Sequence, residues 1–321
     1  MVPYPGGIKV SIVVPAYNEE RNLPELLTRL REALDGRDED FEIVVVDDGS
    51  TDGSWRVIEA AAQGGGLLRG LRLSRNFGHQ AALSAGLAVA DGDEVITMDA
   101  DLQHPPEVVP ALLDRAREGF DVVYGVRART EGEGFLKIRS ARAFYGLLNR
   151  LSSLDLPPGA GDFRYMSRRV VDLLLEMPER HRFLRGMSRW AGFAQSTVPY
   201  DQPPRASGES QYSLRKMLAF STDAIVSFST VPLRVASWLG FTIAALGTLY
   251  LFWTIGVRLF TTTTVPGWTS VVGAVLVLGG AQLVFLGILG QYVGRIYEED
   301  KGRPLFVVWE DTGSGAQGEN L

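Results

Sequence analysis

Asp99 and Asp101 lie one residue apart at the end of the apolar run in VITMDADLQHPP (residues 95–106), and Gln103 follows two positions on. Two carboxylates held that close repel one another and are costly to remove from water. If strand geometry persists to the end of the run, positions i and i+2 point the same way and the carboxylates converge. Converging carboxylates are hard ligands suited to Mg2+ or Mn2+, which is commonly held by one or two carboxylates together with substrate phosphates. The amide oxygen of Gln103 supplies a further ligand. The same spacing on a solvated loop would hold nothing, so the surrounding elements decide. His79 follows Gly78 at the expected start of a helix, where backbone N–H groups favour an anion; a half-buried structural histidine is the preferred expectation there. His104 is expected to be an exposed loop residue.

The elements around this motif alternate. KVSIVVPA, FEIVVVDD, LLRGLRLS, DEVITMDA and DVVYGVR have the short β-branched character of strands, whereas PELLTRLREAL, WRVIEAAAQ, QAALSAGLAVA and VVPALLDRARE have helical spacing. This alternation predicts an α/β fold with a mostly parallel central sheet and ligands at the carboxyl ends of its strands. PAYNEE, DDGSTD and DADLQ fall at three of those ends. Neither GxGxxG nor GxxxxGK[ST] follows the first strand, which demotes dinucleotide-binding and P-loop folds. Further helices are expected over SARAFYGLLNRL and SRRVVDLLLEM, and ESQYSLRKMLAFSTDAIVSFST has one apolar helical face beside Arg215 and Lys216.

The chain has 321 residues, a formal charge of -6, no cysteine and three histidines without HExxH spacing. A disulfide framework and a thiolate site are excluded, a zinc centre is not expected, and the acidic balance argues against nucleic acid as a partner. No signal peptide is expected at the N-terminus. Residues 235–257 carry no charge, nor do residues 259–294. A membrane-spanning helix needs about 20 apolar residues, so two spans are expected near 235–257 and 270–293, joined through TTTTVPGW. Arg215, Lys216 and Arg234 precede the first and Arg295, Lys301 and Arg303 follow the second, a positive-inside pattern; Arg258 departs from it. The expected organisation is a catalytic domain over 1–205, an amphipathic interfacial segment over 206–232, two membrane helices within 233–294 and a cytoplasmic tail over 295–321. Its end, SGAQGENL, is expected to be disordered.

The ordered series VVPAYNEE, VVVDDGSTDGS, LSRNFGHQAALSAGL, MDADLQHPPE, GDFRYMSRR, RFLRGMSRW and RASGESQYSLRKM resembles the family 2 glycosyltransferases of GT-A fold, specifically the polyprenyl-phosphate glycosyltransferases that include dolichol-phosphate mannose synthase. GQYVGRIYEEDKGRP after two spans is similar to the bacterial undecaprenyl-phosphate glucosyltransferase branch. The resemblance implies that Pro15, Ala16, Tyr17 and Glu19 wall the nucleotide, that Asp47 contacts its base, and that Asp99, Asp101 and Gln103 hold Mg2+ or Mn2+ and the donor diphosphate. Arg205 matches a basic residue near the diphosphate, and Arg127 and Arg139 match the general location of groups that receive the acceptor phosphate. Asp101 and Asp162 are the implied catalytic residues. Asp162 stands where hydroxyl-glycosylating relatives have a catalytic carboxylate. A phosphate monoester has its second pKa near ~6, so its oxygen needs little help from a base, and Asp162 is expected to orient the acceptor or an arginine.

The implied reaction is inverting transfer of a hexose, with UDP-glucose the first choice of nucleotide sugar, to polyprenyl phosphate at the cytoplasmic face of the inner or plasma membrane. A processive polysaccharide synthase is a competing reading, but GMSRW has Gly186 where the QxxRW motif of those enzymes has glutamine. A non-catalytic nucleotide-sugar-binding membrane protein is another, and the presence of both carboxylates disfavours it. Homo-oligomerisation is expected from the small residues of VVGAVLVLGGAQ.

Overall fold

The computed structural model describes residues 9–64, 67–128, 160–180, 182–201, 231–260 and 267–313. Arg139, Arg205, His181, the helix expected over SARAFYGLLNRL, the amphipathic segment and the end of the tail lie outside the described residues.

Strands β1 (Lys9–Ala16), β2 (Asp40–Asp47), β3 (Leu68–Leu73), β4 (Glu94–Thr97), β5 (Val122–Arg127), β6 (Ala160–Ser167), β7 (Gln195–Tyr200) and β8 (Val308–Asp311) form one sheet in the order β7-β5-β6-β4-β1-β2-β3-β8. β6 and β8 run antiparallel to their neighbours, and all other pairings are parallel. The central strand β1 is buried along nearly its whole length, which is why it reads as a continuous apolar run rather than an alternating one.

Helices α1 (Leu23–Leu34), α2 (Ser54–Gln63), α3 (His79–Val89), α4 (Val109–Ala116), α5 (Arg168–Glu176) and α6 (Leu184–Trp190) accompany the sheet. α1 buries Leu23, Leu26, Leu27, Leu30 and Leu34, the stripe its spacing predicts, into a core shared with Val10, Ile12 and Val14 of β1. On the opposite face α3 approaches the sheet closely enough to need a residue without a side chain. A Cβ at Gly86 would lie 2.3 Å from Val13 Cγ1 and 3.0 Å from Val46 Cγ2. Gly86→Ala is therefore expected to destabilise the protein by about 1–3 kcal/mol through overpacking. Chemical denaturation of the purified chain checks this; an unchanged midpoint would mean that helix and sheet have slack there.

α7 (Val231–Phe260) and α8 (Trp268–Asp300) form a second unit. At 1.5 Å per residue they are about 45 and about 50 Å long. Their stretches Ala236–Val257 and Gly273–Asp300 are long and apolar enough to cross a membrane, and they leave Trp238, Phe241, Phe252, Trp253, Leu283 and Val284 exposed. Residues 303–313 then return to the first unit, where part of the segment expected as a cytoplasmic tail supplies β8. β6, β7 and β8 add three strands to the five read from the sequence.

Candidate active site

The parallel strands bring Ala16, Asp47, Thr97, Arg127 and Tyr200 to one edge of the sheet, and the antiparallel β6 begins at that edge. The loops after β1 and β2 are tied together there. Ser50 Oγ accepts from Asn18 N–H at 2.9 Å, Asn18 Oδ1 from Thr51 N–H at 2.8 Å, Ser54 Oγ from Glu19 N–H at 2.8 Å and Glu20 Oε2 from Gly53 N–H at 3.0 Å. Asn18 has φ 59°, a left-handed conformation that asparagine tolerates better than most residues. Pro15 and Ala16 are buried in the strand, and the Tyr17 ring is exposed. Burial raises the pKa of Glu19; its hydrogen bond from Asn22 opposes the rise, and the nearby charges of Asp101, Asp52 and Asp99 add to it.

Asp47 is 0 % exposed. Its Oδ1 accepts from Ser50 N–H at 3.0 Å, whereas Oδ2 has no hydrogen-bond partner among the described residues and lies 3.5 Å from Arg72 Nε. Its neighbour Asp48 uses both oxygens, accepting from Phe77 N–H at 2.7 Å and Gly78 N–H at 2.9 Å. Burial raises the Asp48 pKa, against the pull of those two donors. Asp48 thus fixes the entry to α3, and with it His79 and Gln80. Gly49, at φ +68°, permits the close approach of this loop to residues 75 and 76: a Cβ there would meet Arg75 C at 2.5 Å.

β4 ends at Thr97, so strand alternation does not align Asp99 with Asp101. Both lie in the turn that follows, where Leu102 has φ 61°. Asp99 N–H donates to His104 Nδ1 at 2.9 Å, and Gln103 N–H to Asp101 Oδ1 at 3.1 Å. The expectation of an exposed His104 is corrected. The turn folds the imidazole back until it is 2 % exposed, stacked on Phe163 at 5.0 Å and edge-on to Tyr200 at 6.1 Å. Burial lowers its pKa, and the bond from Asp99 N–H makes Nδ1 an acceptor. Asp99 Oδ1 is buried without a hydrogen-bond partner among the described residues.

Asp162, near the start of β6, is 3 % exposed. Arg185 Nε and Nη2 donate to its two oxygens at 3.0 and 2.9 Å, Gln80 Nε2 lies 3.2 Å from Oδ2, and so does His79 Nε2. His79 Nε2 is also 3.6 Å from Asp99 Oδ1, so the ring spans the two carboxylates rather than serving only the core. Burial disfavours its charged form, but Asp162 and Asp99 outweigh that and raise its pKa. Burial acts against Asp162 ionising too, yet the Arg185 charge, the hydrogen bonds from His79 and Arg185 and the Arg164 charge hold its pKa well below the usual carboxylate range. Arg164 is fully buried, with Nη1 3.4 Å from Ser188 Oγ and with Nε and Nη2 without a hydrogen-bond partner among the described residues. Arg127 reaches the same edge, bonding the Tyr200 hydroxyl and opposing protonation of His104.

Asp48, Gln80, Arg164 and Arg185 were not singled out by sequence. Arg185 lies within RFLRGMSRW, and the usable signal for Arg164 was a charge inside the strand-like run DFRYM. Among the described residues no group of three acidic or histidine side chains forms a metal cage. The buried Asp99 Oδ1, which accepts no hydrogen bond among the described residues, instead fits a hard cation that is completed by oxygens of its substrate.

The mostly parallel α/β sheet with its antiparallel β6 and β8 is of GT-A-like fold. Mannosyl-3-phosphoglycerate synthase from Rubrobacter xylanophilus has this fold, with a TM-score of 0.51 and 22% identity, covering 71% of this chain and 74% of that one. Residues 11–175 match the Glycosyl transferase family 2 model, and the chain belongs to that family. It is 41% identical to the uncharacterized glycosyltransferase YkcC of Bacillus subtilis over 95% of each chain. With the bactoprenol glucosyl transferase of Shigella phage SfV it shares 39% identity over 94% of this chain and 98% of that one. The protein is thus a glycosyltransferase.

Proposed function

We propose that the protein transfers a hexose, with UDP-glucose the first choice of donor, to polyprenyl phosphate at the cytoplasmic membrane face, with inversion at the anomeric carbon. The observation that carries this reading is the 39% identity to a bactoprenol glucosyl transferase across 94% of the chain, a span that takes in both apolar helices. Tyr17 offers a ring to the nucleotide and Asp47 Oδ2 an unfilled acceptor to its base. Mg2+ or Mn2+, bound with the donor by Asp99, Asp101 and Gln103, would stabilise charge on the leaving diphosphate.

The acceptor phosphate oxygen forms the new bond to C1 as the bond from C1 to the diphosphate oxygen breaks, releasing the nucleoside diphosphate. Two anionic substrates meet there, and Arg127 at the β5 end, together with Arg139 and Arg205, offsets their repulsion. Asp162 holds Arg185 in a two-point pair and orients it; a carboxylate so engaged is a poor proton acceptor.

A polyprenyl chain lies in the bilayer and a nucleotide sugar in water, so the site belongs at the interface. Since β7 and β8 are strands of one sheet on either side of the apolar helices in sequence, the chain between them must cross a membrane an even number of times. Two crossings with both flanks cytoplasmic agree with the basic residues beside them. Gly279, Gly280 and Gly287 of α8 face open space, as close packing against a second copy requires.

The test is incubation of the purified full chain with undecaprenyl phosphate, Mg2+ or Mn2+ and a panel of nucleotide sugars, followed by mass analysis of the lipid. A single added hexose, greatest with UDP-glucose and lost on chelation, is expected. No glycolipid with any donor would overturn the proposal, and a growing polymer would point to the synthase.

A further inference from the structure

We propose that Glu310, on the strand that follows the apolar helices, is a positioning residue for the nucleotide, acting through Arg72 on Asp47. The inference rests on the reading of Asp47 as an acceptor for the nucleobase. β8 pairs antiparallel with β3 and sets Glu310 opposite Arg72, the arrangement in which cross-strand charges interact. Glu310 Oε1 accepts from Arg72 Nη1 at 2.9 Å and Oε2 from Trp55 Nε1 at 3.0 Å. The guanidinium carbon also lies 5.7 Å from the centroid of the Trp55 ring. Arg72 is thereby held on two sides, with Nε 3.5 Å from Asp47 Oδ2.

At that distance Arg72 supplies positive charge to Asp47 but does not occupy its oxygen, which remains a buried acceptor without a donor. Such an atom is costly until a partner arrives, and under the reading of Asp47 as a base contact that partner is an N–H of the nucleobase. Without Glu310, the Arg72 side chain has two alternatives. It can swing into solvent, removing the charge that faces Asp47, or close onto Asp47 as a direct pair and consume the acceptor. The first leaves a fully buried carboxylate without its countercharge, which destabilises the site that receives the base, and the second removes the acceptor, so each weakens nucleotide binding. β8 is tied down independently by the Arg69–Asp311 pair at 2.7 Å and by Gly70 N–H donating to Thr312 Oγ1 at 2.8 Å, so its docking can be separated from the role of Glu310.

The test measures binding of UDP with Mg2+ to the full chain by titration calorimetry, alongside KM for donor and acceptor and the melting temperature. Glu310→Ala is expected to weaken UDP binding roughly tenfold, the size of one charge-assisted hydrogen bond, and to raise donor KM in step while acceptor KM and kcat stay close to wild type. Glu310→Gln, which keeps an acceptor oxygen, should retain most of the affinity. Arg72→Gln should reproduce the loss, and decides the matter if Glu310→Ala does not fold. Asp311→Asn, which weakens the other anchor of the strand, should leave UDP binding unchanged. An affinity unmoved by Glu310→Ala and Arg72→Gln, or lowered equally by Asp311→Asn, would overturn the inference. A wild-type chain that binds UDP but transfers no sugar would defeat the proposed function and leave this inference standing; one that binds no UDP defeats the inference.

Discussion

Asp101→Asn is expected to lower the rate of sugar transfer roughly a hundred- to a thousandfold, the loss typical of removing one preorganised group that stabilises transition-state charge. The turn itself should survive. Asp101 Oδ1 accepts from Gln103 N–H, and the carboxamide oxygen of asparagine can accept the same bond. What disappears is a negative charge close enough to help raise the pKa of Glu19, and with it half of the hard-ligand pair that would bind a cation beside the donor diphosphate. The measurement is kcat/KM for glycolipid formation together with UDP affinity in Mg2+ and the melting temperature. A well-folded variant that turns over at the wild-type rate would remove Asp101 from the site.

The first half of the fold is legible because each element announces itself locally. β1 to β5 are short β-branched runs, α1 has a leucine at every turn of one face, and the alternation leaves parallel pairing as the plausible closure. The later strands depend on partners far away in the chain. β6 is inserted between β4 and β5 and carries Asp162 and Arg164 inward, so its pattern is neither alternating nor uniformly apolar. β8 has four residues and pairs with a strand more than two hundred positions earlier. No periodicity spans such a gap.

The site divides in the same way. Asp99 and Asp101 stand out from their type and spacing after an apolar run, whereas Asp47 and Asp162 are singled out by the family resemblance. Their partners are set by tertiary packing. Arg185 reaches Asp162 from α6, His79 reaches it from α3, and His104 becomes buried because Phe163 and Tyr200 close around the turn. Nothing in LQHPP marks that histidine as buried. The positions of Asp99 and Asp101 also have a different cause from strand alternation, since β4 stops at Thr97 and both lie in the turn that carries the left-handed Leu102.

Asp162→Asn should separate stability from chemistry in a way Asp101→Asn does not. The substitution leaves the guanidinium of Arg164 fully buried and that of Arg185 without its two-point partner, so a loss of about 3–5 kcal/mol of folding stability is expected. Per folded molecule, transfer should fall by only about tenfold, because Arg185 is misplaced but the charge beside the leaving group remains; equal abolition with Asp101→Asn, fold and UDP binding intact, would instead make Asp162 a base. The pH dependence gives a second check. The folded pKa of Asp162 is depressed, so its contribution is fully present above the unfolded value near ~3.9 and is lost as pH falls from there through the folded value. His79 runs the other way: with its folded pKa raised, its contribution is present below about 6.5 and is lost as pH rises through the folded value. The gap in denaturation midpoint between wild type and Asp162→Asn should therefore hold level from about pH 6 to about pH 4.5 and narrow only in more acid solution. A gap that closed as pH fell within that range would mean that Asp162 is already protonated in the folded protein there, and the two-point pair with Arg185 could not then be what orders the site.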